Sequence, residues 1–124
     1  MQDVRKPEDM NEVFIRTFNE GKIDALMELY EPGAVSVAQD GSPLHGLDGI
    51  RAELVGLLAL GGKMEGKNRY ALTFDGVALL SANWTLTAKT PDGAPLVVQG
   101  RTTEVIRRQP DGRWLYIIDH PTGA

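Results

Sequence analysis

The sequence contains no cysteine and only two histidines, His45 and His120. Without thiols there are no disulfide bonds, no thiolate nucleophile and no cysteine-ligated zinc or iron–sulfur site. A metal site would have to bring both histidines together with a carboxylate from distant segments. We therefore expect no metal ion and no other cofactor.

The sequence also lacks an excess of basic charge and a long apolar run. Thirteen Lys and Arg stand against seventeen Asp and Glu, which gives a net charge of −4. This charge favours neither a phosphate backbone nor an anionic bilayer. The first twenty residues are polar and charged, and no apolar run approaches the roughly 20 residues that span a membrane. We expect no nucleic-acid partner, no membrane partner and a cytoplasmic location.

The length and composition of the chain are those of one ordinary globular unit. The chain has 124 residues, of which 42% are hydrophobic and 24% charged. Domains of about 100 to 150 residues are the commonest size. No repeat, linker or low-complexity segment divides the sequence, so we expect a single domain over residues 1–124.

Apolar residues recur at helical spacing in the first half of the chain, and Pro and Gly mark the ends of the segments. The predicted elements are, in order, a helix from Pro7 to Gly21, a short helix from Asp24 to Pro32, a strand over 34–38 and a helix from Asp48 to Gly61.

The second half changes to long strands separated by turn sequences such as Asp75-Gly76, Pro91-Asp92-Gly93 and Pro110-Asp111-Gly112. These turns are typical of hairpins. The predicted strands are 67–74, 77–89, 96–108 and 113–120. Helices followed by an antiparallel meander predict an α+β fold in which the helices cover one face of a curved sheet.

The two Pro-Asp-Gly turns also predict which residues face each other across the strands, because a three-residue hairpin loop determines the register. One face of the sheet then becomes mostly apolar, and Glu104 and His120 are its conspicuous polar groups. The predicted cross-strand pairs are Trp84 with Gly100, Leu80 with Glu104, Ile106 with Tyr116 and Glu104 with Ile118.

In this register Glu104 and His120 lie diagonally across neighbouring strands, about 7 Å apart or less. A carboxylate among apolar side chains has a raised pKa unless it is paired, which is the usual condition of a catalytic acid or base. We therefore predict that Glu104 and His120 are catalytic. The alternative is that Glu104 lies near the sheet edge, binds Thr102 or a helix end, and does no chemistry.

Several segments resemble the nuclear transport factor 2-like superfamily. Phe18–Leu26 and Leu29–Val35 look like its opening pair of helices, Leu44–Ile50 resembles its turn into the third helix, and Asp111–Ile117 its final strand. The chain is most similar to small bacterial SnoaL-like or ketosteroid-isomerase-like proteins. The resemblance implies a conical α+β fold with a pocket between the concave sheet and the helices, in a homodimer built through the sheets.

A cone of this shape would place aromatic side chains around the pocket, although aromatic residues at such spacing are also ordinary core residues. The ligand-binding residues predicted on this basis are Phe14, Phe18, Tyr30, Trp84, Thr102, Tyr116 and Ile118.

The resemblance does not extend to the reaction of the steroid isomerases. Their oxyanion-donating tyrosine corresponds to Phe14 here, and their proton-shuttling aspartate corresponds to Val37 or Ala38. SnoaL-like cyclases place an acid–base Asp or His on the late strands, which Asp119-His120 loosely matches. We expect a small-molecule-binding protein with a mostly apolar pocket. The alternative is an acid–base enzyme of isomerase, cyclase or dehydratase type that acts on a small apolar carbonyl compound.

The other face of the predicted sheet is polar with an apolar strip. Such a strip often marks an interface, so we expect a homodimer through this face. The strip consists of Val97, Val105, Leu115 and Ile117, with Asn83, Gln99 and Arg101 beside it.

Overall fold

The computed structural model describes residues 3–123, so both ends of the domain expected over residues 1–124 lie outside the described range. A 3-10 turn, Pro7–Asp9, leads into the first helix. The elements that follow, in chain order, are α1 (Met10–Asn19), α2 (Ile23–Met27), β1 (Tyr30–Val37), β2 (Pro43–His45), α3 (Leu47–Leu58), β3 (Lys63–Phe74), β4 (Val77–Lys89), β5 (Pro95–Arg101), β6 (Thr103–Arg108) and β7 (Trp114–His120).

The strands form one mixed sheet of seven strands in the order β2-β1-β7-β6-β4-β3, and β5 also pairs with β4. All pairs are antiparallel except β1 with β7, which run parallel. The α+β class is confirmed, but the sheet is not the wholly antiparallel meander that we predicted. The first strand lies beside the last, a pairing between segments about 80 residues apart that no local signal indicates.

The second helix is shorter than its apolar pattern predicted. It ends at Met27, and Tyr30 already belongs to β1. Pro32 disfavours helical geometry at the residue before it. The backbone N–H of Tyr116 donates to the carbonyl of Leu29 at 2.8 Å, so this segment is held extended against β7.

Both Pro-Asp-Gly hairpins have the predicted geometry. Gly93 and Gly112 have φ values of 87° and 89°, in the left-handed region that closes a three-residue loop. The predicted pairs Trp84 with Gly100 and Leu80 with Glu104 are confirmed. The predicted strand over 96–108 is divided at Thr102 into β5 and β6, which pair with different halves of β4.

The register between β6 and β7 departs from the prediction part-way along. Ile106 pairs with Tyr116 as expected, but the next pair is Val105 with Ile118, so Ile117 is an extra residue that forms a β-bulge. A shift of one residue exchanges the two faces of a strand. Glu104 therefore pairs with Asp119 and not with Ile118, whose side chain is 47% exposed on the outer face.

The helices and the inner face of the sheet share one hydrophobic core, in which Phe18, Leu26, Leu80, Ile106 and Tyr116 are almost fully buried. Within the described residues, no helix is long and apolar enough to cross a membrane.

The outer face of the sheet carries an apolar row that crosses four strands. Leu72 pairs with Leu79, Leu79 with Val105, and Val105 with Ile118. Three of the four side chains are between 37% and 59% exposed. The predicted strip is corrected in part, since Leu115 is buried within the chain and the bulge brings Ile118 to this face.

We expect Gly100→Val to destabilise the protein by about 1 to 3 kcal/mol, the usual cost of overpacking. A Cβ at Gly100 would lie 3.0 Å from the carbonyl oxygen of Pro121 and 3.2 Å from the indole nitrogen of Trp84. These two groups form a hydrogen bond of 2.7 Å with each other. Thermal unfolding measures the effect.

The matched control is Gly56→Ala in α3, where a Cβ meets nothing within 4 Å. We expect this variant to gain about 0.5 to 1 kcal/mol from helix propensity. If Gly100→Val melts within error of the wild type, the packing of Trp84 over Gly100 is wrong.

Candidate functional site

A cavity of about 70 Å³ lies between the inner face of the sheet and helices α1 and α3. Its walls are mostly aromatic and aliphatic, and polar side chains are contributed by Glu104 on β6 and Asp119 on β7. The residues that line it include Asn11, Phe14, Tyr30, Ser36, Gln39, Glu53, Leu57, Ala82, Trp84, Thr102, Glu104, Tyr116, Asp119 and Pro121.

Two carboxyl groups lie side by side in this cavity. Glu104 on β6 and Asp119 on β7 are cross-strand partners, and their side chains are only 4% and 7% exposed. Because of the bulge at Ile117, Asp119 lies opposite Glu104, where the sequence analysis placed Ile118, with His120 on the diagonal.

Hydrogen bonds hold Glu104 from two sides. The Asn11 amide nitrogen donates to Glu104 Oε1 at 3.1 Å, and the Thr102 hydroxyl donates to the same oxygen at 2.6 Å. The Tyr116 hydroxyl in turn donates to Asn11 Oδ1 at 2.6 Å. These contacts position the Glu104 carboxyl between α1 and the sheet.

Asp119 is held by a tyrosine. The Tyr30 hydroxyl donates to Asp119 Oδ2 at 2.6 Å. The rings of Tyr30 and Tyr116 lie 5.0 Å apart, and Phe14 meets the Tyr116 ring edge-on at 6.1 Å. The aromatic side chains therefore form a continuous wall next to the two carboxyl groups.

Because they are buried, Glu104 and Asp119 have higher pKa values than exposed carboxyl groups. Burial, together with the charge of Asp119, raises the pKa of Glu104 to about 8, against the hydrogen bonds from Thr102 and Asn11. Burial raises the pKa of Asp119 to about 6, while the Tyr30 hydrogen bond and the charge of His120 act to lower it. Near neutral pH the pair therefore carries one proton, and the larger rise in pKa favours Glu104 as its site.

The two tyrosines are neutral over the whole physiological range. Burial raises the pKa of Tyr30 and of Tyr116 well above its usual value, and the neighbouring carboxylates add to the effect. Both hydroxyl groups are therefore available as hydrogen-bond donors and not as anions.

Six of the nine residues predicted for the site line this cavity: Phe14, Tyr30, Trp84, Thr102, Glu104 and Tyr116. Phe18 does not line it and lies behind Phe14, with a centroid distance of 6.4 Å between the two rings.

Ile118 and His120 are displaced from the site by the bulge. Ile118 lies on the outer face, and His120 pairs with Thr103 and not beside Glu104. The predicted contact between Glu104 and His120 is therefore wrong. His120 is half-buried, and its Nδ1 atom has no hydrogen-bond partner among the described residues.

The sequence analysis did not assign Asn11 to the site and named Asp119 only through its loose match to the SnoaL-like cyclases. Asn11 precedes Phe14 and Phe18 by three and seven residues, which places all three on one helical face. A polar residue on this otherwise apolar face of the helix could have been predicted to point towards the cavity. Asp119 gave no such signal, because its orientation depends on the bulge.

Among the described residues, no group of three or more His, Cys, Asp or Glu side chains is arranged to hold a metal ion.

Residues 12–117 match the family model of the SnoaL-like domain. The chain belongs to this family. The match covers most of the chain, although Asn11 and Asp119 of the cavity wall lie just outside it. No curated protein matches the sequence of this SnoaL-like domain significantly.

Several solved structures have folds similar to that of the SnoaL-like domain. It is similar to an uncharacterised protein with a cystatin-like fold from Caulobacter vibrioides, with 23% identity, 91% of this chain and 83% of that chain covered, and a TM-score of 0.76. It is also similar to a ketosteroid isomerase-like protein from Erwinia carotovora atroseptica, with 14% identity, 92% and 90% covered, and a TM-score of 0.74.

A third structure is an NTF2-like protein with a cystatin-like fold from Novosphingobium aromaticivorans, with 14% identity, 91% of this chain and 76% of that chain covered, and a TM-score of 0.75. At these identities the likeness concerns the fold, and the chemistry has to be argued from the residues of this chain.

We expect the stability of the wild type to fall as the pH rises from about 4.5 to about 8. In the unfolded chain Glu104 ionises near its ordinary pKa, whereas in the folded protein its pKa is about 8. The folded state therefore binds the extra proton in this interval, and raising the pH removes that stabilisation. Chemical denaturation at a series of pH values measures it.

Glu104→Gln keeps a neutral side chain at every pH. Above pH 8 we expect this variant to be more stable than the wild type by on the order of 2 kcal/mol, with a flatter pH dependence. Glu12→Gln, an exposed position on α1, is the control and should follow the wild-type curve. A Glu104→Gln curve parallel to that of the wild type would contradict the raised pKa.

Proposed function

We propose that this SnoaL-like domain binds a small, mostly apolar molecule whose polar end lies against Glu104 and Asp119. The observation that carries the proposal is a pair of buried carboxyl groups that line a cavity with otherwise mostly apolar walls. Buried carboxyl groups that serve only stability are normally paired with a cation. Within the described residues, no Lys, Arg or His lines this cavity.

The volume of the cavity limits the ligand. An engineered cavity of about 150 Å³ holds one benzene molecule, and this cavity measures about 70 Å³. The ligand either has only a few non-hydrogen atoms or extends past Gln39, Glu53 and Leu57 of the wall, which are not fully buried.

Binding of cyclopentanone and cyclopentanol, observed by two-dimensional NMR, tests this proposal. We expect chemical-shift changes at residues of the cavity wall and affinities in the millimolar range, as for other fragments of this size. Ala82 is 2% exposed in the wall. We expect Ala82→Leu to fill the cavity and remove binding, whereas the exposed Ala52→Leu on α3 should bind like the wild type.

The proposal fails if Ala82→Leu folds and binds both compounds as well as the wild type. It also fails if the shift changes lie outside the cavity.

A second candidate function is acid–base catalysis on a small carbonyl compound, and the separated pKa values of Glu104 and Asp119 favour it. Two titratable groups whose environments push their pKa values apart are the usual arrangement of a general acid and a general base. In this reaction Asp119 takes a proton from the carbon next to the carbonyl, and Glu104 gives its proton to the carbonyl oxygen. The product is an enol. Asp119 is then protonated and Glu104 is ionised.

Hydrogen–deuterium exchange at the carbon atoms of butan-2-one in D₂O tests the catalytic candidate. We expect a bell-shaped profile, since the rate should rise as Asp119 ionises near pH 6 and fall as Glu104 loses its proton near pH 8. Asp119→Asn should reduce the rate at least about 100-fold, the lower range for a general base. Exchange by Asp119→Asn at the wild-type rate would exclude the role of Asp119 as the base.

We propose as well that the domain forms a homodimer through the outer face of the sheet. The support is the apolar row of Leu72, Leu79, Val105 and Ile118, which crosses four strands and is largely exposed in the single chain. Exposed apolar surface of this extent more often marks an interface than free surface. The same surface on two copies satisfies the two-fold symmetry of a closed dimer.

Light scattering at micromolar concentration measures the assembly. We expect twice the chain mass of 13.5 kDa for the wild type and the mass of one chain for Ile118→Lys. Thr87→Lys, an exposed position on β4 outside the row, is the control and should remain dimeric. A wild-type mass of one chain contradicts the dimer.

A further inference from the structure

We infer that the molecule bound in the cavity carries a hydroxyl group next to a carbonyl group, because the wall presents one proton donor at Glu104 and one unsatisfied acceptor at Asp119. The inference rests on the proposed small-molecule function and names the chemical class of the ligand.

The orientation of the Glu104 carboxyl follows from a backbone donor. The N–H of Ala82 donates to Thr102 Oγ1 at 2.9 Å. The hydroxyl hydrogen of Thr102 is then available to Glu104, and it donates to Oε1. Asn11 donates to the same oxygen because its own Oδ1 accepts from Tyr116. With two donors on Oε1, the acidic proton of Glu104 belongs on Oε2.

Apart from Ser36 and the exposed Gln39, the other strong donors of the wall already have acceptors within the protein. The Tyr30 hydroxyl donates to Asp119, the Tyr116 hydroxyl to Asn11, and the Trp84 indole N–H to the carbonyl of Pro121. Ser36 is the cross-strand neighbour of Asp119, and its hydroxyl can accept as well as donate. Glu104 Oε2–H is therefore the donor that a ligand carbonyl meets.

Asp119 supplies the complementary acceptor. Its Oδ2 atom accepts from Tyr30, whereas Oδ1 accepts no hydrogen bond from any described residue. Glu104 and Asp119 are direct cross-strand partners, so their carboxyl groups are neighbours on one face of the sheet. A hydroxy ketone holds an acceptor and a donor on adjacent atoms, so its carbonyl can accept from Glu104 while its hydroxyl donates to Asp119.

The charges of the wall exclude one large class of ligands. Asp119 is ionised near neutral pH, Glu53 also lines the cavity, and no Lys, Arg or His of the described residues does so. A carboxylate or phosphate ester would therefore lose its water without gaining a positive partner. The ligand is therefore not an anion.

Four compounds of similar size separate these requirements in NMR titrations: acetoin has both groups, butan-2-one only the carbonyl, butan-2-ol only the hydroxyl, and lactate a negative charge. We expect acetoin to bind at least about tenfold more tightly than butan-2-one and butan-2-ol, the value of one hydrogen bond of about 1.4 kcal/mol. We expect no binding of lactate.

Glu104→Gln tests the orientation of the carboxyl group. Thr102 and Asn11 hold the amide oxygen in the place of Oε1, which leaves the NH₂ group as a donor at every pH. Wild-type affinity for acetoin should fall about tenfold between pH 7 and pH 9, as a proton with a pKa near 8 is lost. The affinity of Glu104→Gln should be the same at both pH values.

The possible failures are distinct. Equal affinities for acetoin, butan-2-one and butan-2-ol overturn the inference and leave the small-molecule function intact. A fall in affinity for Glu104→Gln that matches the wild type also overturns it, because the donor is then not Glu104. If neither these compounds nor cyclopentanone and cyclopentanol bind, the proposed function itself is wrong.

Discussion

The extra residue in β7 is the local feature on which the chemistry of this domain depends. Without the bulge at Ile117, regular pairing would continue past Ile106 and Tyr116 and would turn Ile118 inward opposite Glu104. The cavity would then hold Glu104 opposite Ile118, with His120 diagonally across from it. With the bulge, Asp119 faces Glu104, Tyr30 finds its acceptor, and Ile118 joins the outer apolar row. One inserted residue thus determines both the polar site on one face of the sheet and the apolar surface on the other.

Burial of the two carboxyl groups destabilises the folded state. Each group is buried with neutral donors only, and neither has a basic partner among the side chains of the cavity wall. Replacement of such a pair by apolar residues usually stabilises a core. The network of Asn11, Thr102 and the two tyrosines limits the cost, since it satisfies one oxygen of each carboxyl group. Glu104 Oε2 and Asp119 Oδ1 have no hydrogen-bond partner among the described residues. A ligand can supply one.

Local signals in the sequence were sufficient for much of the fold. The Pro-Asp-Gly turns gave the pairing of β4 with β5 and β6, and the helical spacing around Ile50 and Leu54 gave α3. Glu104 was identified as an inward carboxyl for the same reason. Interactions between distant segments gave no such signal. The end of α2 depends on pairing with β7, and the exchange of His120 for Asp119 depends on a bulge that the regular alternation of the strand does not reveal.

The parallel pairing of β1 with β7 has a consequence for the order of folding. During synthesis β1 leaves the ribosome well before β7, the strand that completes its sheet. Until then the pairing edge of β1 is open and Glu104 has no carboxyl neighbour. Contacts between such distant segments slow folding, because the chain loses the entropy of loop closure before the contacts can stabilise it. The nascent chain therefore exposes an incomplete sheet edge until β7 has emerged, the situation in which a chaperone that shields strand edges is of most use.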